Sequence, residues 1–305
     1  LPHARDFPYQ SFSESISLVL ILLLKHLLQY SEGLPEVLID GVQSFVHELY
    51  VAGQTKIQDR NPEQAVQSTC SFNSFELAVR ANAACVDMLV WAVKDEQGGD
   101  SLLGRMTEKL TGPDGTLHLV AHIPLLHCCL EAHGTLSEKF PLLAHQSISS
   151  LRDFLLAPSR ILTKLHKHCP REGARASSHG SSQRRERHHS GGSEPTWFAF
   201  SALRDATIYN LCRSLRAGLQ EDASCVQAFL ASVANTLYLT EAGTDKVALT
   251  SQNAVLALGH LAIALKDIPR TMESVQQIFQ QQFGNPASKL DETIVDMLGC
   301  MLLTG

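Results

Sequence analysis

Aromatic residues are scarce. Phe, Trp and Tyr together make up 6% of the 305 residues, with only two tryptophans, while Leu and Ala are abundant. Sheets draw on β-branched and aromatic side chains, so this balance argues for packed helices. Charge is also modest. Charged residues are 18% of the chain and the net charge at pH 7 is −6, which gives no ground for expecting nucleic acid or an acidic substrate. The eight cysteines are Cys70, Cys85, Cys128, Cys129, Cys169, Cys212, Cys225 and Cys300, and no Cys-x-x-Cys occurs among them. Most lie inside apolar helical patterns, which reads as buried, reduced thiols of a cytosolic protein. Long hydrophobic runs are lacking too. The one membrane candidate, "ISLVLILLLKHLL" at 16–28, is broken by Lys25 and His26. It falls short of the roughly 20 apolar residues a span needs, so it reads as a packed helix and no transmembrane segment is assigned. No signal peptide is visible.

Phosphate-handling and nucleophile motifs are missing as well. There is no G-x-x-x-x-G-K-[ST], no G-x-G-x-x-G and no G-x-S-x-G. The Arg-Asp pairs of "SLRDFL" (Arg152, Asp153) and "ALRDAT" (Arg204, Asp205) share two letters with a kinase catalytic loop. Both sit in amphipathic helical patterns and read as surface or groove charges. One cluster tempts as a metal site. His118, His122, Cys129 and His133 fall within a stripe of about 60° if they share one helix, and His and Cys are zinc ligands. Yet His118 and His133 would then lie about 22 Å apart along the axis. At most an i,i+4 pair shares an ion, and "HLVAH" lacks the glutamate of H-E-x-x-H. These residues read as core or groove side chains. No catalytic, cofactor-binding or metal-binding residue is assigned in this chain.

What is present is helix after helix. Hydrophobic residues are 44% of the chain, enough for a sizeable core. Ser13 or Ser15 caps a helix that runs to about Tyr30, Gly33 stops it, and Pro35 opens the next, "PEVLIDGVQSFVHELYVA". "SFNSFELAVR" leads into an apolar helix that ends at "QGG", and Asp100 caps "SLLGRMTEKL". A turn at "GPDG" precedes "LHLVAHIPLLHCCLEAH", a helix kinked or tightened near Pro124. "PLLAHQSISSLRDFLL" and "PSRILTKLHKH" each open on a proline. Later helices are "TWFAFSALRDATIYNLCRSLRAGL", "DASCVQAFLASVANTLYL", "SQNAVLALGHLAIALKD" after a loop "TEAGTDKVALT", "PRTMESVQQIFQQQF" and "LDETIVDMLGCMLL". The pattern fits an all-α fold: an α-solenoid of stacked antiparallel helix pairs, HEAT- or armadillo-like, with a compact helical bundle as the alternative.

Between 170 and 195 the composition shifts to Ser, Gly, Arg and His with no apolar period. This reads as a disordered loop separating a first solenoid part, 1–169, from a second, 196–305. Its arginines, among them Arg171 and Arg175, suit a solvated linker better than a nuclear signal. Ser177, Ser178, Ser181 and Ser182 are open to phosphorylation as any exposed serine is, and nothing marks them for it. The chain starts at Leu1 without an initiator Met and stops after "MLGCMLLTG", and reads as an excerpt of something longer.

The densest apolar stretch is "RANAACVDMLVWAVKDEQGG". Arg80, Asp87 and Lys94, seven apart, form one thin polar stripe, with Trp91 between the last two. Every other face is apolar except at Asn82, which needs a hydrogen-bond partner if buried. Such a helix must be hemmed in by neighbours on several sides.

Five stretches, in order, resemble the N-terminal helical region of type III alpha phosphatidylinositol 4-kinases: "RANAACVDMLVWAVKDEQG" (80–98), "SLRDFLLAPSRILTKLHKH" (150–168), "ALRDATIYNLCRSLRAGL" (202–219), "AVLALGHLAIALKDIPRTMESVQQIFQQQF" (254–283) and "LDETIVDMLGCMLLTG" (290–305). The resemblance implies a scaffold segment of an enzyme that phosphorylates the inositol 4-hydroxyl of phosphatidylinositol with ATP and Mg²⁺. The implied kinase domain is C-terminal, and ATP and Mg²⁺ belong to it, so this chain carries no cofactor. The implied partners are a tetratricopeptide-repeat adaptor, hyccin and a palmitoylated membrane anchor. The implied location is cytoplasmic, with peripheral recruitment to the plasma membrane. A stand-alone helical-repeat adaptor without a kinase domain is the alternative.

Overall fold

Leu- and Ala-rich runs with proline or an acid at their starts give helices wherever the computed structural model describes the chain, at residues 14–30, 33–58, 69–112, 117–167, 193–222, 224–238 and 245–283. Helix α1 spans Glu14–Tyr30, and Gly33, at φ +69°, turns the chain in the left-handed conformation that suits a residue without a Cβ. Pro35 then offers its carbonyl to the amides of Leu38 and Ile39, and α2 runs over Glu36–Gln58. Helix α3 is Thr69–Ala92 and α4 is Glu96–Thr111.

The junction between α3 and α4 corrects the sequence reading. Asp95, not Asp100, is the cap: its Oδ1 accepts from the Gly98 amide at 2.7 Å. Gly98, Gly99 and Asp100 lie inside the first turns of α4 rather than ending α3. Gly99 serves packing, because a Cβ there would come within 2.7 Å of Leu143 Cδ1 and 3.2 Å of Phe140 Cδ2. Asp95→Ala is expected to destabilise the protein by about 1 kcal/mol in urea titrations.

Pro124 does tighten the chain. A 3-10 turn, Val120–His122, precedes α5, Ile123–Lys139, so the expected single helix is split and His118 lies outside α5. A second 3-10 turn at Pro141–Leu143 leads into α6, Ala144–Leu156. Helix α7 is Arg160–Lys167, with Ser159 Oγ accepting from the Leu162 amide. Helix α8, Ser193–Gly218, takes in Ser193, Glu194 and Pro195, which the sequence reading placed in the loop. The rest of that loop, from 170 to 192, lies outside the described residues, as does the expected helix after 290. Asp222 caps α9, Ser224–Tyr238, through the Ser224 amide. Helix α10, Asp245–Ala264, begins inside "TEAGTDKVALT", where a loop was expected, and α11 is Pro269–Phe283.

Side-chain contacts fix the directions. Lys25, near the end of α1, pairs with Asp87, near the end of α3. Lys139, the last residue of α5, donates to the carbonyls of Trp91 and Val93 at the end of α3. Arg213 of α8 meets Glu138 of α5, and Arg216 of α8 reaches the Ala264 carbonyl that ends α10. Helices α1, α3, α5, α8 and α10 therefore run parallel in one row, each packed on the next. The other helices run against that row. Lys94 pairs with Glu36 and Asp40 at the start of α2, Phe140 after α5 touches Gly99 at the start of α4, and Gly218 at the end of α8 meets Ala144 at the start of α6. Across the second row, Arg105 of α4 contacts His47 of α2, and Thr107 of α4 bonds Ser150 of α6. Two rows of opposed helices make a solenoid-like all-α stack, with no strand among the described residues. One contiguous apolar core runs from Ile21 to Ile278, passing from α7 to α8 without a break.

Candidate functional site

In α3, nearly every side chain from Ala78 to Val93 is buried, and the exceptions are Arg80, Ala84, Asp87 and Trp91. Arg80 is exposed, whereas Asp87 and Lys94 are held by α1 and α2. Hydrogen bonds donated to Asp40 and Glu36 raise the Lys94 ammonium above its usual range. Asn82, buried at 2% exposure, donates to the Tyr50 carbonyl at 3.1 Å, the partner its position demanded. The stripe thus fastens α3 to its neighbours and leaves only the Trp91 edge and Arg80 open.

The His/Cys residues do not converge. His133 and Cys129 are fully enclosed in α5, His122 is buried in the turn before it against Phe75, and His118 is half-buried with its ring 6.3 Å from that of His122. Ser147 Oγ donates to the His133 carbonyl, so Nδ1 of His133, 3.2 Å from that hydroxyl, is the donor and Nε2 is left facing the core without a partner. Nδ1 of His122 accepts from the Leu119 amide at 3.2 Å. Burial pushes the His133 imidazole down to about 3. Burial, followed by His118 and Lys109, pushes that of His122 down to about 4. The Ile57 backbone opposes this slightly, although Nε2 of His122 has no partner in hydrogen-bonding geometry. Both rings are neutral at physiological pH. Burial likewise pushes the thiols of Cys85, Cys128, Cys129 and Cys212 up to about 12, so they are thiols rather than free thiolates at neutral pH. Among the described residues, no three His, Cys, Asp or Glu side chains form a metal-holding group.

The two Arg-Asp pairs close on themselves. Arg152 Nε bonds Asp153 Oδ1 at 3.0 Å, and Arg204 Nε bonds Asp205 Oδ1 at 3.1 Å with its guanidinium over Phe200. Arg152 Nη2 also reaches Ser149 Oγ at 3.3 Å, so both arginines are held by neighbours on their own helices.

The densest polar cluster lies between α5 and α8, and the sequence reading missed it. Arg213 donates through Nε and Nη2 to both carboxylate oxygens of Glu138, through Nη1 to Glu131 Oε1 at 2.7 Å and Asn210 Oδ1 at 2.9 Å, and through Nη2 to Thr135. Its guanidinium also stacks over Tyr209. Deeper in the seam, Ser137 Oγ bonds both the His133 carbonyl and Ser214 Oγ, at 2.7 and 3.0 Å. The Glu138 carboxyl is held below its usual range by the Arg213 hydrogen bonds. Glu131, Thr135 and Glu138 recur at i, i+4 and i+7, a legible stripe, but their partner is far away in sequence. The contacts are fork-like and fully directed. Their chemistry is cohesion: one guanidinium holds two half-exposed carboxylates of α5 against α8.

These features define a solenoid-like all-α protein whose polar residues join helix to helix. None of its described helices is long and apolar enough to cross a membrane. The chain matches the PI4-kinase N-terminal region over residues 22–305 and belongs to that family.

Proposed function

We propose that this chain is a non-catalytic scaffold segment of a phosphatidylinositol 4-kinase. It holds a C-terminal kinase domain in position and offers its long helical flanks to adaptor subunits. The observation that carries the reading is the family match, which extends over almost the whole stack. Supporting it, the charged side chains bridge helices. A two-row stack with one continuous core gives a rigid, elongated surface, and such surfaces fix the distance between partners. In this reading, ATP and Mg²⁺ are bound by the kinase domain outside the chain. The adaptor subunits are a tetratricopeptide-repeat protein and hyccin, with a palmitoylated anchor recruiting the assembly to the plasma membrane.

Two measurements test this. The 305 residues alone, given phosphatidylinositol vesicles, ATP and Mg²⁺, are expected to produce no phosphatidylinositol 4-phosphate; reproducible turnover would overturn the scaffold role. Removing this region from the parent kinase is expected to abolish co-purification of the adaptors while phosphorylation of detergent-dispersed phosphatidylinositol persists. Undiminished adaptor recovery would equally defeat the reading.

A further inference from the structure

Eight of the chain's 25 Lys and Arg residues fall between 160 and 187, against two of its 31 Asp and Glu. The net charge of −6 conceals this basic block in an otherwise acidic chain. Its described part is α7. Arg160, Lys164 and Lys167 stand at i, i+4 and i+7, within about 60° of arc on an ideal helix, and all three are exposed. Ile161, Leu162 and Leu165 occupy the opposite side at 0–1% exposure, so the apolar face of α7 is fully used by the core.

Helix stability does not account for the row. Like charges at these spacings repel one another. A helix dipole favours cations in the last turn, but Arg160 stands in the first. Among the described residues, none of the three is paired with an acid. The sequence that follows supplies no counter-charge either, because 168–192 holds five arginines against two glutamates. Nor is α7 an end of the stack: α6 before it and α8 after it share its core. Its surplus charge is therefore its own.

The chemistry of the face identifies what it takes. A protein interface is centred on buried apolar or aromatic anchors and is depleted of lysine. Helix α7 shows no large apolar side chain to solvent. A single-stranded nucleic acid stacks its bases on aromatic rings, and α7 has none. A layer of anionic phospholipid headgroups asks for neither anchors nor a matching shape, only for several long cations on one side. With its apolar side held in the core, α7 lies against the headgroups and does not enter the acyl region.

We infer that α7, through Arg160, Lys164 and Lys167, binds the headgroups of an anionic phospholipid bilayer. This goes beyond the scaffold reading, in which an anchor on another subunit holds the membrane, and does not depend on it. Flotation with phosphatidylcholine–phosphatidylserine vesicles at low salt is expected to carry the 305-residue chain upward, free of any other subunit. Vesicles of phosphatidylcholine alone should leave it behind, and high salt should release it. Arg160→Ala, Lys164→Ala and Lys167→Ala together are expected to weaken the partitioning about a hundredfold. Circular dichroism and melting should not suffer, because the buried side of α7 is untouched. Lys164→Arg with Lys167→Arg should keep the binding. Arg80→Ala, Lys266→Ala and Arg270→Ala, which remove three exposed cations elsewhere, control for net charge and should have little effect. A wild-type chain that does not float would overturn the inference. So would a triple α7 variant that floats as well as wild type, or a control variant that falls as far. Retention on polyglutamate without flotation would assign the face to an acidic protein and equally overturn it.

Discussion

Between pH 6.5 and about 5 the protein is expected to lose roughly 3 kcal/mol of stability through two side chains, His122 and His133. Both imidazoles are buried neutral, with folded-state values pushed to about 4 and about 3, against an ordinary 6.5 in the unfolded chain. In this window the unfolded chain takes up protons that the native state refuses. Stability therefore rises with pH below 6.5 and is lost progressively as the medium is acidified toward the folded values. Each histidine contributes at most about 1.4 kcal/mol per pH unit, and half of that at pH 6.5. Burial also lowers His47, His127 and His260, which adds in the same direction. Urea titrations at neutral and mildly acidic pH measure the loss. His133→Gln, which cannot protonate, is expected to flatten the pH dependence by about half while keeping an amide to face Ser147, and His122→Gln should do the same independently. A urea midpoint that does not move with pH, or variants that retain the full slope, would show that these rings are not protonation-sensitive locks.

Gly134→Ala is expected to destabilise the protein by about 2–3 kcal/mol, the opposite sign from the same change in an ordinary helix interior. A Cβ at this position would run into Asn210 Oδ1 and lie 2.9 Å from Arg213 Nη1 and 3.2 Å from its Cζ. Asn210 has no room to retreat. It is 1% exposed, its Nδ2 bonds the Ala206 carbonyl, and its Oδ1 accepts from Arg213. Displacing it pulls the guanidinium off Glu131 and Glu138 and opens the seam between α5 and α8. Gly104→Ala is the control. Gly104 lies on the exposed side of α4, where an added Cβ would meet nothing within 4 Å, and substitution there is expected to stabilise by about 0.5–1 kcal/mol. Thermal melts of the two variants should shift in opposite directions. A neutral or stabilising Gly134→Ala would mean that the seam relaxes freely and does not hold the two helices together.

The sequence carried the helices well because their signals are local. Pro35, Pro269 and Gly33 act where they stand. The enclosure of α3 was legible too: an apolar helix with a thin stripe had to be surrounded, and its lone buried amide, Asn82, had to find a carbonyl. Glycine was read as a stop at 98 and 99, but Asp95 competes for the free amides, and Gly99 is small because Phe140 and Leu143 press on it from a distant part of the chain. A loop was read before Ser251, yet the helix already starts at Asp245. The His/Cys stripe assumed one straight helix from His118 to His133, and the 3-10 turn before Pro124 breaks that geometry. The Arg213 cluster was invisible for a plainer reason. Its acids lie 75 and 82 residues away, and no periodicity along the chain reports a pairing made across the stack.

The parallel row has an electrical consequence. Helices α1, α3, α5, α8 and α10 all end on the same edge of the stack, so within that row their peptide dipoles add, while the antiparallel row brings positive helix starts to the same edge. Each C-terminus carries about half a negative charge and each N-terminus about half a positive one. Side by side, such ends repel. Lys139, lodged on the terminal carbonyls of α3, and Arg216, lodged on that of α10 and paired with Asp267, bring cations to that edge and screen the repulsion. Each belongs to the neighbouring helix, so each bridges two like-charged ends at once. At that edge negative helix ends of one row stand beside positive helix starts of the other, an alternation of charge that the net charge of the chain does not disclose.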